Sequence, residues 1–319
     1  MNVRVDGRVK SFLERISSFW EEEDYEQLLA TLLGVIDDAG ALMRRSYRPF
    51  LELPGLCCQA AGGDPSRAES MASLLGTLYL AAHLLDGIAD GESWVGKEGL
   101  LATLATACMV TAELSIDRDY HNELNAEVLR SIREDIHRTV LRACQGQIAD
   151  LVETRPSLER CWKIARQKTA AVYGLACRIG AQLATSNRNH HALLGEYGFH
   201  LGLIIQVGDD IAGLWSRDGY RSDIAQKKWS LPVAYTMDVS SISQRNHLQN
   251  YLERAGTDLS AEETARQMIM GSGALLYLTA EAERHRLLAG EALKKATCRE
   301  EARRKLIKIL DDCTPLRKI

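Results

Sequence analysis

The chain has 319 residues, 46% of them hydrophobic and 26% charged, with a formal net charge of −4. That length can bury a large core, and the charge is too small and too evenly spread to steer nucleic acid or an anionic membrane onto the surface. The opening MNVRVDGRVKSFLERISSFWEEEDYE lacks the apolar run of a secretory leader, and no stretch of about eighteen uninterrupted apolar residues follows, so no membrane-spanning helix is expected.

Apolar residues recur at helical spacing over 68–90, 100–115, 121–153, 158–186 and 192–213. Breaks fall at 61–66, 91–99, 154–157, 186–190 and 216–223, where Gly, Pro, Ser and Asn gather. Proline, the strongest interior breaker of helices, is absent between Pro65 and Pro156 and again between Pro156 and Pro232, so helices there can run long. No alternating strand pattern, repeat or linker occurs. The expectation is one all-α domain over residues 1–319.

The eight cysteines show no CxxC or zinc-ligand spacing, and most sit on apolar helical faces. They read as reduced core thiols of a cytoplasmic protein. The eight histidines form no HExxH pattern, so histidine-bound zinc is not expected.

Two acidic patterns carry the chemistry. In LAAHLLDGIAD, Asp86 and Asp90 are spaced i,i+4 on one helical face, just before Gly91. In LIIQVGDDIAGLWSRDGYRSDIAQKKWSLP (203–232), an apolar helical run delivers adjacent Asp209 and Asp210, followed by Asp223 and the pair Lys227–Lys228. Carboxylates at a helix C-terminus face the negative end of the dipole, and adjacent ones repel each other, so both patterns ask for a cation. Hard oxygen donors with lysine nearby suit Mg²⁺ holding a phosphate or diphosphate. For Asp86 and Asp90, an ordinary solvated helix end is the competing reading.

Six collinear segments resemble the trans-isoprenyl diphosphate synthase (polyprenyl synthetase) family. SYRPF after Arg45 is similar to GGKxxRP, with Arg45 and Arg48 at its two basic positions. DGIAD (86–90) stands at the first DDxxD, GQIADL (146–151) at GQxxDL, and Lys168–Thr169 at KT. IIQVGDDIAG resembles FQxxDDxxD, and SDIAQKKWSLP the loop SDLxxxKxxLP. The resemblance implies an isoprenoid synthase-type antiparallel helical bundle around a central apolar cavity, with the acidic motifs facing each other across its mouth. It further implies three Mg²⁺ ions held by Asp86, Asp90, Asp209, Asp210 and Asp223. Lys168, Thr169, Gln206 and Lys228 would contact an allylic prenyl diphosphate, Arg45 and Arg48 a second diphosphate, and two chains would form a homodimer. The reaction implied is prenyl transfer: the allylic diphosphate ionises and an acceptor attacks.

The chain also departs from the pattern. Gly87 and Gly213 stand where motif carboxylates are usual, Tyr79 replaces a histidine seven residues before the first motif, and the RRG after it is missing. Isopentenyl diphosphate as acceptor is thereby weakened. Ala81 and Ala82, one turn before Asp86, are small where aromatics limit chain length, which predicts room for a C15–C20 tail. Alanines chosen for close helix packing are the alternative. Two other functions stay open: a class I terpene synthase that cyclises or hydrolyses a prenyl diphosphate, and a non-catalytic regulatory subunit of a prenyl diphosphate synthase.

Overall fold

The computed structural model describes residues 47–89, selected positions between 99 and 120, residues 124–216 and residues 221–315. Among them every regular element is helical and no strand occurs, as expected for the all-α class. They cluster into two compact units, Met1–Arg133 with Ile179–Ser186, and Glu134–Arg178 with Asn187–Ile319.

In the first unit, helix α1 (Tyr47–Ala60) packs against α2 (Glu69–Ala89). A single 3-10 turn, Pro65–Ala68, leads into α2. The turn forms because the Asp64 carboxylate accepts the Ser66 N–H at 3.0 Å and Pro65 fixes φ at its start. Met71, Leu74, Leu75, Ala81 and Leu84 line the buried face of α2. The Tyr120 phenol accepts from the Met71 N–H at 2.8 Å and donates to the Arg67 carbonyl at 3.1 Å, fixing the start of that helix. The segment Pro65–Ala89 is long and apolar enough to cross a membrane by length and composition alone, and 56% of its apolar window is buried inside the protein, as in a core helix. Ser, Thr and His interrupt its apolar run, so it holds no uninterrupted apolar stretch of about eighteen residues.

The second unit contains most of α3 (Ala126–Val152), then α4 (Leu158–Ala165), a five-residue π-turn (Arg166–Ala170) and the first eight residues of α5 (Ala171–Ala184), which runs on without a break from the π-turn. It continues with α6 (Arg188–Ala212), α7 (Leu231–Val239), α8 (Ile242–Arg254), α9 (Leu259–Gly271), α10 (Ala274–Lys295) and α11 (Glu300–Cys313). Helix α6 starts inside the predicted 186–190 break, because the Asn187 side chain accepts the N–H groups of Asn189 and His190 at 3.0 and 3.4 Å. Leu194, Tyr197, Leu201 and Ile204, at i, i+3, i+7 and i+10, give α6 its buried stripe. Trp162, Ala170, Leu203, Val207 and Leu278 form one core cluster of this unit. Cys57, Cys58, Cys161 and Cys177 are buried, while Cys144 is exposed.

Helices α6 and α10 pack together extensively, and His200 and His285 meet between them. Their rings stack with centroids 5.0 Å apart and their Nδ1 atoms share a hydrogen bond of 2.9 Å. Burial first, then the charges of His200, Arg284 and Arg166, pushes His285 down to about 3 from the ordinary 6.5. The unfolded chain therefore takes up a proton below pH 6.5 that the folded chain refuses. Stability present in full above pH 6.5 is lost as pH falls toward 3, by at most about 1.4 kcal/mol per pH unit and less where water screens the ring. Urea unfolding from pH 7.5 to 4.5 is expected to show this decline, and His285→Phe is expected to flatten it. Equal slopes in the two proteins would refute the assignment.

Candidate active site

Three site residues of the second unit, Thr169, Gln206 and Asp210, are joined by one line of hydrogen bonds. Thr169, in the π-turn, donates through Oγ1 to Gln206 Oε1 at 2.5 Å. Gln206 Nε2 donates to Asp210 Oδ1 at 2.7 Å, and the Leu231 N–H donates to Asp210 Oδ2 at 2.8 Å. Asp210 thus serves the first turn of α7, whose own N-cap, Ser230, makes no side-chain cap bond. Burial raises the Asp210 carboxyl to about 6 despite these two bonds, and the charges of Asp209 and Asp150 add to the rise. Asp209, its neighbour, is exposed. The adjacent aspartates are therefore unlike: one organises the protein, the other meets solvent.

Lys168 is set by a different contact. Its Nζ lies 2.6 Å from Asp150 Oδ2, on α3. A Cβ at Gly146 would lie 2.9 Å from Gln167 Cβ and 3.0 Å from Lys168 Cγ, so this glycine lets α3 reach the π-turn. Asp150 belongs to the GQIADL segment, whose resemblance assigns it no role. The i,i+4 spacing of Gly146 and Asp150 on one helical face was the available signal.

Beyond α6, the chain folds back so that the Asp223 N–H donates to the Gly213 carbonyl at 2.8 Å. A Cβ at Gly213 would stand 2.2 Å from Asp223 Oδ2. The glycine in the last acidic position of the motif thus leaves the space in which the Asp223 carboxylate lies. Gly213→Ala is expected to push that carboxylate away and destabilise the fold by about 1–3 kcal/mol, measurable by chemical unfolding. An unchanged midpoint would mean that the loop shifts freely. Lys227 sits in the left-handed region with φ 61°, a strained setting for a side chain, and the next N–H, of Lys228, closes back on the Asp223 carbonyl at 2.8 Å. Cys161, also in this unit, is inert: burial, then Asp210 and Asp150, pushes its thiol up to about 12.

In the first unit, Asp86 lies half-buried in the last turn of α2, and Asp90 lies outside the described residues. Tyr79 packs its ring on Phe50 with centroids 4.7 Å apart. Ala81 is buried and Ala82 exposed, so the two small residues point to different environments. Arg45 is outside the described residues; Arg48 is placed in α1 by its backbone alone. Among the described residues no group of three or more His, Cys, Asp or Glu side chains is arranged to hold a metal.

A family model described as polyprenyl synthetase matches residues 67–269. The chain belongs to the polyprenyl synthetase family. It is 26% identical over 260 residues to a (2E,6E)-farnesyl diphosphate synthase of Mycobacterium tuberculosis, covering 76% of this chain and 71% of that one. A geranylgeranyl diphosphate synthase of the same species is 28% identical over 231 residues, covering 67% and 65%. The structure of geranylgeranyl pyrophosphate synthetase from Pyrococcus horikoshii aligns with a TM-score of 0.79 at 23% identity over 98% of this chain and 97% of that one, a likeness of fold. As a polyprenyl synthetase, the protein is an enzyme of the prenyltransferase class.

Proposed function

We propose that this polyprenyl synthetase is a Mg²⁺-dependent prenyltransferase that ionises an allylic prenyl diphosphate of C15–C20 and joins it to an acceptor, releasing diphosphate. The observation that carries the reading is the hydrogen-bond line from Thr169 through Gln206 and Asp210 to Leu231, which joins residues of three separated motifs. Mg²⁺ fits the donors offered: Asp209 is an exposed carboxylate, Asp223 a second one held against Gly213, and both are hard oxygen ligands. When bound, the metal neutralises charge on the leaving diphosphate. Asp86 and Asp90 belong to the same proposal as further oxygen donors.

The rest is done by the chain itself. Lys168, held at 2.6 Å by Asp150, and Lys228, at the end of the turn that Asp223 closes, supply fixed positive charge for the departing diphosphate. Gln206 is locked between Thr169 and Asp210, which fixes its amide without reorganisation during reaction. Apolar Leu203 and Val207, on α6 one to two turns before the aspartates, belong to a packed cluster that keeps water out of that part of the unit. Arg45 and Arg48 are proposed to hold a diphosphate on the acceptor. A homodimer is part of the proposal, supported by exposed Leu141, Ile148, Leu151 and Val152 along α3, as is a cytoplasmic setting, supported by the free thiols.

The test is a donor-by-acceptor assay. Farnesyl and geranylgeranyl diphosphates are incubated with Mg²⁺ or EDTA, with and without isopentenyl diphosphate, and products are read by mass spectrometry. Longer prenyl diphosphates formed only with acceptor and metal support transfer. Hydrocarbon or alcohol from the donor alone assigns the protein to cyclisation or hydrolysis instead.

A further inference from the structure

We propose that the buried ion pair of Glu262 and Arg266, on α9, positions Asp223 for its ligand. The inference rests on the prenyl-transfer reading and adds to it two residues that lie outside the six motifs. Arg266 Nε donates to the Leu214 carbonyl at 2.8 Å, just beyond the end of α6. The same guanidinium pairs with Glu262 and Glu263. Glu262 Oε1 accepts the Ser222 hydroxyl at 2.6 Å, and Ser222 Oγ in turn accepts the Ala225 N–H at 3.1 Å. The Ser222 N–H donates to Ser216 Oγ at 3.1 Å. One ion pair therefore grips the chain at two points on the way to Asp223: at Leu214, where it leaves the aspartate helix, and at Ser222, immediately before the carboxylate.

Burial makes the arrangement informative. Ser222 and Leu214 are fully buried and Glu262 is 7% exposed, in a neighbourhood of Leu214, Ile224, Ala265 and Ile269. Taking both charges out of water offsets much of their attraction, so apolar residues of similar volume would stabilise the fold about as well. What apolar residues cannot do is fix the Leu214 carbonyl and the Ser222 hydroxyl at set distances from one another. Since the Asp223 N–H is bonded to the Gly213 carbonyl and its own carbonyl to the Lys228 N–H, fixing Leu214 and Ser222 fixes the backbone that carries the carboxylate. Glu262 and Arg266 are positioning residues, acting through Asp223 on what it binds.

The test uses the full chain with Ser222→Ala and Glu262→Gln, and with Tyr197→Phe as a control. Tyr197→Phe removes a buried bond of 2.8 Å from the phenol to the Leu306 carbonyl, so it lowers stability away from the site. Mn²⁺ binding in the presence of inorganic diphosphate is followed by electron paramagnetic resonance at a temperature where every variant is folded, alongside KM, kcat and the Mg²⁺ dependence of turnover. The expected result is a loss of Mn²⁺ affinity of roughly tenfold in Ser222→Ala and Glu262→Gln, with none in Tyr197→Phe at comparable loss of melting temperature. Wild-type affinity in both site variants overturns the positioning role and leaves the function standing. Wild-type protein that binds no Mn²⁺ with diphosphate overturns both. Should Glu262→Gln fail to fold, Ser222→Ala, which removes one hydroxyl, decides the matter alone.

Discussion

Asp209→Ala is expected to lower turnover roughly a thousandfold while moving the folding free energy by no more than about 0.5 kcal/mol. The asymmetry follows from its position. Asp209 is exposed on the last turn of α6, so little packing is lost with it, and in the proposed reaction its charge would meet a diphosphate-bound cation. Steady-state rates with saturating Mg²⁺ and a calorimetric melt measure the two quantities. Turnover within tenfold of wild type would remove Asp209 from the metal site and, with it, the motif's functional reading.

Asp210 is expected to behave in the opposite way. Asp210→Ala leaves the Leu231 N–H and Gln206 Nε2 without their acceptor, at about 1–3 kcal/mol for each orphaned donor. Asp210→Asn should differ in sign when metal is removed with EDTA. A buried carboxyl raised to about 6 is one whose charged form the fold disfavours. The folded state keeps its proton while the unfolded state has lost it, so stability present at low pH is lost as pH climbs through about 6. The neutral amide escapes that loss and still offers an oxygen to Leu231, with Gln206 and Thr169 turning to suit. At pH 7.5 Asp210→Asn should therefore melt at or above wild type, and Asp210→Ala below it. Turnover of the asparagine variant should still fall roughly ten- to a hundredfold, since the residue orients its neighbours. Two variants equally unstable would show that charge, not acceptor geometry, holds this corner together.

The helical class, the long run through 158–184 and the acidic end of α6 were legible in the sequence because each rests on local pattern: spacing of apolar residues, absence of proline, adjacent carboxylates. What separates Asp209 from Asp210 was not. Their difference is made by Leu231, 21 residues along the chain, and by Gln206 one turn back, and only the second lies within reach of helical periodicity. Gly213 read as a lost acid, whereas space for Asp223 is what it provides. Ala81 and Ala82 looked equivalent as small residues, yet neighbours on a helix are turned about 100° apart and face buried and exposed settings. Glu262 and Arg266 gave no signal at all, since an i,i+4 acid–base pair on a helix usually marks a solvated face. Distant backbone partners are what a linear pattern lacks.

The π-turn at Arg166–Ala170 bears on how this enzyme can change. Such a turn holds one residue more than regular α-helix would. Deleting a single amino acid there would restore ordinary winding with the flanking helices nearly in place, since the turn takes up its extra residue locally, and the change would fall on the side chains of the turn itself. Thr169 and Lys168, both inside the turn, would be redirected by the tighter winding, so that the bond to Gln206 and the pairing with Asp150 could not both keep their geometry. Point substitutions around the turn leave both partnerships open to selection, whereas loss of one codon dissolves at least one of them. Natural variation in this short stretch is accordingly expected to exchange side chains and to preserve its length.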